Sequence, residues 1–91
     1  MTMIKAQRMM VLPEGEPYKQ ITKTYETNLV PTPGMFIQDS MWHESLEICK
    51  VVCQFDEDCY YILLPELKIN STESVELEKE VLTMHGWSVF P

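Results

Sequence analysis

Leu46-Glu47-Ile48-Cys49-Lys50-Val51-Val52-Cys53-Gln54-Phe55, then Asp56-Glu57-Asp58, then Cys59-Tyr60-Tyr61-Ile62-Leu63-Leu64 is the stretch that decides the fold. Two runs rich in β-branched and aromatic residues on either side of an acidic triplet predict a β-hairpin with a charged tip, because such side chains suit a pleated surface. Side chains alternate along a strand. Cys49, Val51, Cys53 and Phe55 therefore share one face, and Ile48, Lys50, Val52 and Gln54 share the other. The cysteine face is the better core candidate. A turn of two or four residues sets that face beside Tyr60, Ile62 and Leu64, whereas three residues would substitute Cys59, Tyr61 and Leu63; both are apolar, so the register stays open.

Outward from the hairpin, Ile4 to Leu12 reads as a strand or a short helical turn, closed by the turn signal Pro13-Glu14-Gly15-Glu16-Pro17. Tyr18 to Thr27, rich in Thr, Tyr and Ile, reads as a strand with one wet face. Val30-Pro31-Thr32-Pro33-Gly34 is extended and ends in a turn, since a residue before proline is pushed out of the α region. A short strand Met35-Phe36-Ile37 follows, and Gln38 to Ser45 joins it to the hairpin.

Past Pro65 the period changes. Asn70 as cap with Glu73 three residues on, and Gly86 followed by Trp87 as a glycine stop with its apolar partner, predict a helix over about 71–85. At roughly 100° per residue, Val75, Leu77, Val81, Leu82 and Met84 occupy half its circumference and Glu73, Glu76 and Glu80 the rest, so the apolar half is expected on the sheet. Ser88-Val89-Phe90 reads as an edge strand or an apolar tail, and Pro91 cannot donate a ladder hydrogen bond.

Several strands and one helix give an α+β fold: a small bent antiparallel sheet or open barrel of about five strands with a C-terminal helix across it. The order Val30-Pro31-Thr32-Pro33-Gly34-Met35-Phe36-Ile37, loop, long hairpin resembles that of many SH3-like barrels, a likeness of architecture alone. The 91 residues are expected to form a single domain, 1–91.

Composition narrows the function. Seven basic and 14 acidic residues give a net charge of −7, unevenly spread: residues 1–30 hold four basic and three acidic side chains, residues 31–91 three and eleven. That field repels phosphate backbones, so direct nucleic-acid binding is disfavoured and a protein partner with a basic surface is favoured. No apolar run is long enough to span a bilayer and the first residues lack the apolar segment of a secretory signal, so no membrane association and a cytoplasmic location are expected. In that setting Asn70-Ser71-Thr72 is an accidental match to the glycosylation pattern.

Three cysteines cannot all pair within one chain, and in a reducing compartment they act as small core hydrophobes. Cys49 and Cys53 on one strand lie about 13 Å apart, too far to share an ion, so no metal site is expected even with His43 and His85 at hand. Cys59, beside the acidic tip, is the least unfavourable thiol nucleophile, but neighbouring carboxylates oppose its ionisation. Asp56-Glu57-Asp58 lacks the spacing and glycine of a calcium loop. Gly15, Gly34 and Gly86 fit turns or caps, which leaves no phosphate loop and no cofactor.

What remains is surface. The candidate partner-binding residues are Trp42, Asp56, Glu57, Asp58, Glu73, Glu76 and Glu80; Trp42 reads equally as an interface anchor or as cover over the barrel end. The expected function is a non-enzymatic interaction module, an accessory factor or an inhibitor of phage or mobile-element type. The alternatives are a self-associating structural subunit, joined by strand edges or by Trp87 to Phe90, and, third, a small thiol- or metal-dependent enzyme.

Overall fold

The computed structural model describes residues 2–90. Met1 lies outside them, as does Pro91 with the edge role read for it. The segment that sequence leaves between strand and helical turn is strand β1 (Thr2–Val11), and it is central to the sheet. Its alternation decides the matter: Ile4, Ala6, Arg8 and Met10 are buried, while Met3, Lys5, Gln7 and Met9 between them are only partly so. A helix would scatter these buried positions around its circumference.

β2 (Pro17–Thr27) returns antiparallel to β1, with Ile4 opposite Tyr25, Ala6 opposite Lys23 and Arg8 opposite Ile21. Short strands β3 (Phe36–Ile37) and β4 (Leu46–Glu47) pair with each other in a small separate ladder. β5 (Lys50–Gln54) and β6 (Cys59–Leu63) form the hairpin, with Cys53 opposite Tyr60 and Val51 opposite Ile62. The four-residue connection Phe55–Asp58 thus selects the first of the two registers open to the sequence. Asp58 sits at φ 55°, a left-handed conformation that aspartate tolerates better than most residues.

β6 runs parallel to β1, and β7 (Leu67–Lys68) continues beside the far end of β1, also parallel. Helix α1 (Thr72–Met84) and β8 (Ser88–Phe90) follow, with β8 antiparallel to β2 as an edge strand. The sheet order is β5-β6-β1-β2-β8, a mixed sheet where the sequence suggests an antiparallel one. The reason is the crossover from the β1–β2 hairpin through residues 28–58, which returns β6 on the free side of β1. Among the described residues no sheet closes on itself, so the fold is α+β, an open sheet with one helix and no closed barrel.

Three expectations need correction. Leu46 to Phe55 is not one strand: Leu46 and Ile48 belong with β3, where the Ile48 amide bonds to the Met35 carbonyl at 2.8 Å, and the chain changes partner at Cys49. Cys49 and Cys53 are exposed and Phe55 is 90% exposed, because β5 is the outer strand of the sheet and only Val51 of it packs against the core. Of the three cysteines only Cys59 is buried. The helix cap is Ser71 rather than Asn70: the Ser71 side chain accepts from the Ser74 amide at 3.3 Å.

The core fills one face of the sheet, where Ile4, Ala6, Met10, Ile21 and Ile62 meet Leu46, Ile48, Val75, Leu82 and Trp87. The glycine stop is built as the sequence suggests. The Gly86 amide bonds to the Thr83 carbonyl at 3.0 Å and the Trp87 amide to the Leu82 carbonyl at 2.9 Å, the paired bonds of a Schellman motif. Gly86 at φ 87° takes a conformation costly to any residue with a Cβ, and a Cβ there would also press on the Lys23 side chain.

Candidate functional site

The orientation of α1 determines what the molecule shows to solvent. A Schellman stop brings its two apolar partners to one side, here Leu82 and Trp87, both 1% exposed. Val75, seven residues before Leu82 and so two turns back on the same side, completes the inward face. This corrects the expected apolar half. Leu77 is 81% exposed, Met84 83% and Val81 43%, since they lie across the helix from the Val75–Leu82 line.

Those three side chains project among carboxylates. At roughly 100° per residue, Glu73 and Glu80 fall within the same sector as Leu77, Val81 and Met84, with Glu76 beside them. Glu73, Glu76 and Glu80 are all exposed, as are Glu78 and Lys79. The outer face of α1 is therefore an apolar ridge, Leu77-Val81-Met84, set in negative charge. The spacing of the glutamates along the sequence makes them visible; only the Leu82–Trp87 stop, as built, shows that the ridge faces the same way.

Trp87 is fixed by a buried carboxylate that sequence did not single out. Asp39, 5% exposed, accepts four hydrogen bonds: from Lys23 Nζ (2.7 Å) and Tyr25 OH (2.6 Å) at Oδ2, and from the Met41 amide (2.9 Å) and Trp87 Nε1 (3.2 Å) at Oδ1. Burial alone would raise its pKa, but the bonds from Lys23, Tyr25, Met41 and Trp87 outweigh it and hold the carboxyl down at about 2. The Tyr25 hydroxyl is driven strongly upward, first by burial and then by Asp39. The only signal for this site in the sequence is an aspartate followed by a serine, Asp39-Ser40, which reads as an ordinary turn.

Next to it, Ser40 Oγ lies 2.7 Å from His85 Nδ1. The pair resembles part of a nucleophile and base arrangement, but Asp39 is committed to Lys23, Tyr25, Met41 and Trp87 and does not orient the imidazole. Trp42 lies half-buried against Trp87, ring centroids 5.5 Å apart and edge to face, with the Arg8 guanidinium carbon 4.3 Å from its ring centroid. Arg8 Nε in turn donates to the Pro65 carbonyl at 2.8 Å, and burial lowers the guanidinium's pKa. Trp42 thus covers one end of the core, and its Nε1 is buried without a hydrogen-bond partner.

At the hairpin tip, Asp56, Glu57 and Asp58 are exposed. Glu57 is not a free charge: it accepts from Tyr61 OH at 2.7 Å and from Lys5 Nζ at 3.2 Å, and these bonds lower its pKa. The Cys59 thiol is pushed up by burial, Lys5 opposing and the Glu57 carboxylate reinforcing the shift, which leaves a poor nucleophile. A depression of about 210 Å³ there is lined by Cys53 and Cys59 with no histidine. Among the described residues no group of three or more His, Cys, Asp or Glu side chains converges on a point where a metal ion would sit. Nor is any helix long and apolar enough to cross a membrane.

A more apolar groove of about 300 Å³ opens between Leu29, Met35 and Phe36, with Ile4, Ile48 and Ile62 at its base. The structure thus separates the candidate residues read from sequence into three places: Glu73, Glu76 and Glu80 on α1, Asp56, Glu57 and Asp58 at the hairpin tip, and Trp42 in the packing around Trp87. Compared with protein-family models, curated proteins and solved structures, the chain matches none.

Proposed function

We propose that this chain is a non-enzymatic interaction module that docks the outer face of α1 on a partner protein with a basic surface. One observation carries the reading: Leu77 and Met84, more than four-fifths exposed, stand within the carboxylates Glu73, Glu76 and Glu80. Large apolar side chains left in water on a small domain favour removal from it, at about 25 cal/mol per Å² of apolar surface covered. The surrounding charge selects the partner. Four glutamates and one lysine along the helix, on a chain of net charge −7, steer it toward cationic surfaces and away from polyanions.

The apolar ridge supplies contact area and the carboxylates supply orientation and association rate. An accessory factor or an inhibitor that covers a basic site, of the kind found in phage and mobile elements, is the role such a surface fits. The acidic tip, Asp56 and Asp58, offers a second negative patch for the same partner.

Capture of the partner from host extract, compared across variants, tests this. A triple change of Glu73, Glu76 and Glu80 to Gln is expected to weaken capture roughly tenfold and to flatten its salt dependence. Leu77→Ser with Met84→Ser is expected to abolish it while the fold persists, because neither side chain is in the core. A partner retained by both variants would place the interface elsewhere.

A further inference from the structure

Strand β5 is the outer strand of the sheet and β6 is its only neighbour, so one row of its backbone N–H and C=O groups points away from the sheet with no partner strand among the described residues. Soluble proteins blunt such an edge with charge, proline, a bulge or a covering segment. β5 has little of this. Its register with β6 runs without a shift, it contains no proline, and Lys50 is its single charged residue, at the end far from the tip. Val51, Val52, Cys53 and Gln54 are uncharged, Val52 is exposed, and Phe55 extends the apolar character into the turn. The opposite edge, β8, offers only Ser88–Phe90.

We propose that β5 pairs antiparallel with β5 of a second copy of this chain, about a two-fold axis through Val52, to join the two sheets into one. Val52 is the midpoint of the strand, so this register pairs all five residues: Val52 opposite Val52, Val51 opposite Cys53, Lys50 opposite Gln54. Charge chooses the direction. Antiparallel pairing brings the Lys50 end of each strand toward the acidic tip Asp56-Glu57-Asp58 of the other, while parallel pairing would set two acidic tips side by side. Five residue pairs make a small interface, so the dimer is weak and concentration-dependent. It is independent of the α1 surface, which lies on another part of the molecule.

The two-fold axis gives a specific test by sedimentation of the intact chain. The wild type is expected to be dimeric at high concentration and monomeric on dilution. Val52→Lys and Val52→Glu are each expected to be monomeric, since like charges meet on the axis, and an equal mixture of the two is expected to recover the dimer. In a Cys49→Ser, Cys53→Ser background, V52C is expected to form a disulfide-linked dimer under copper-phenanthroline oxidation far faster than F55C. Position 55 is more exposed, but the two copies of it would stand about 20 Å apart in this register. A wild type monomeric at every concentration, a mixture no more associated than its components, or equal rates for V52C and F55C would each overturn the proposal. In the monomeric Val52 variants, partner capture should still depend on Leu77 and Met84 of α1, which separates failure here from failure of the helix-face reading.

Discussion

Trp87 Nε1 donates a hydrogen bond to Asp39 Oδ1 at 3.2 Å, across 48 positions of sequence. The bond connects two devices that are local on their own. One is the Schellman stop, which places Trp87 against Leu82 and so sets the rotation of α1; the other is the Asp39 cluster, which ties the connecting loop to Lys23 and Tyr25 on β2. The outward face of the helix is therefore held by a carboxylate in the interior.

Asp39→Asn should be costly. The amide keeps the shape but removes the charge that Lys23 Nζ meets at 2.7 Å in a partly buried position. Breaking one side of a buried pair leaves the other uncompensated, and a loss of about 3 kcal/mol is expected in urea unfolding. Lys23→Met leaves the Asp39 carboxylate, its side chain 2% exposed, without its cation, and should cost a comparable amount.

Acid should act through the same group. The Asp39 carboxyl is held at about 2 against an ordinary 3.8, so its contribution is fully present above about pH 4 and is lost as the pH falls through about 2. Roughly 2 kcal/mol of stability should disappear over that window in the wild type. The corresponding fall should be smaller in Asp39→Asn, as measured by denaturant midpoints at pH 4, 3 and 2.

The two tryptophans should respond in different ways to phenylalanine. Trp87→Phe deletes a donor to Asp39 and opens space at a position 1% exposed. Trp42→Phe deletes an indole N–H that is buried without a partner, which returns part of the area lost. Thermal melts should show Trp87→Phe the more destabilising, by about 1–2 kcal/mol.

Much of the fold was legible because local chemistry and long-range structure agree there. The acidic turn, the β5–β6 hairpin, the wet strand β2 and the Gly86-Trp87 stop each carry their own signal. Central strand β1 was ambiguous because Gln7-Arg8-Met9-Met10 suits a helix as well as a strand, and its neighbours on both sides settle it. The cysteine face was misplaced because alternation tells which residues share a side, and only the sheet order tells that β5 is at the margin. Asp39 was invisible for the same reason: three of its four donors, Lys23, Tyr25 and Trp87, are distant in sequence. The glutamates of α1 could be read directly, but the apolar ridge among them could not, since summed periodicity weighs Leu77 and Leu82 alike.

That distinction between two leucines should be plain in stability. Leu82→Ala removes a side chain 1% exposed and should cost about 3 kcal/mol, whereas Leu77→Ala, 81% exposed, should change stability by less than about 0.5 kcal/mol. Urea titrations of the two variants side by side make the comparison.

Solvent paramagnetic relaxation of the methyl groups, with a neutral gadolinium chelate in solution, reads the face of α1 directly. The Leu77, Val81 and Met84 methyls are expected to relax strongly, and those of Val75 and Leu82 to be protected. Protection of Leu77 and Met84 instead would mean that the ridge is turned into the core and that the helix offers a partner only its glutamates.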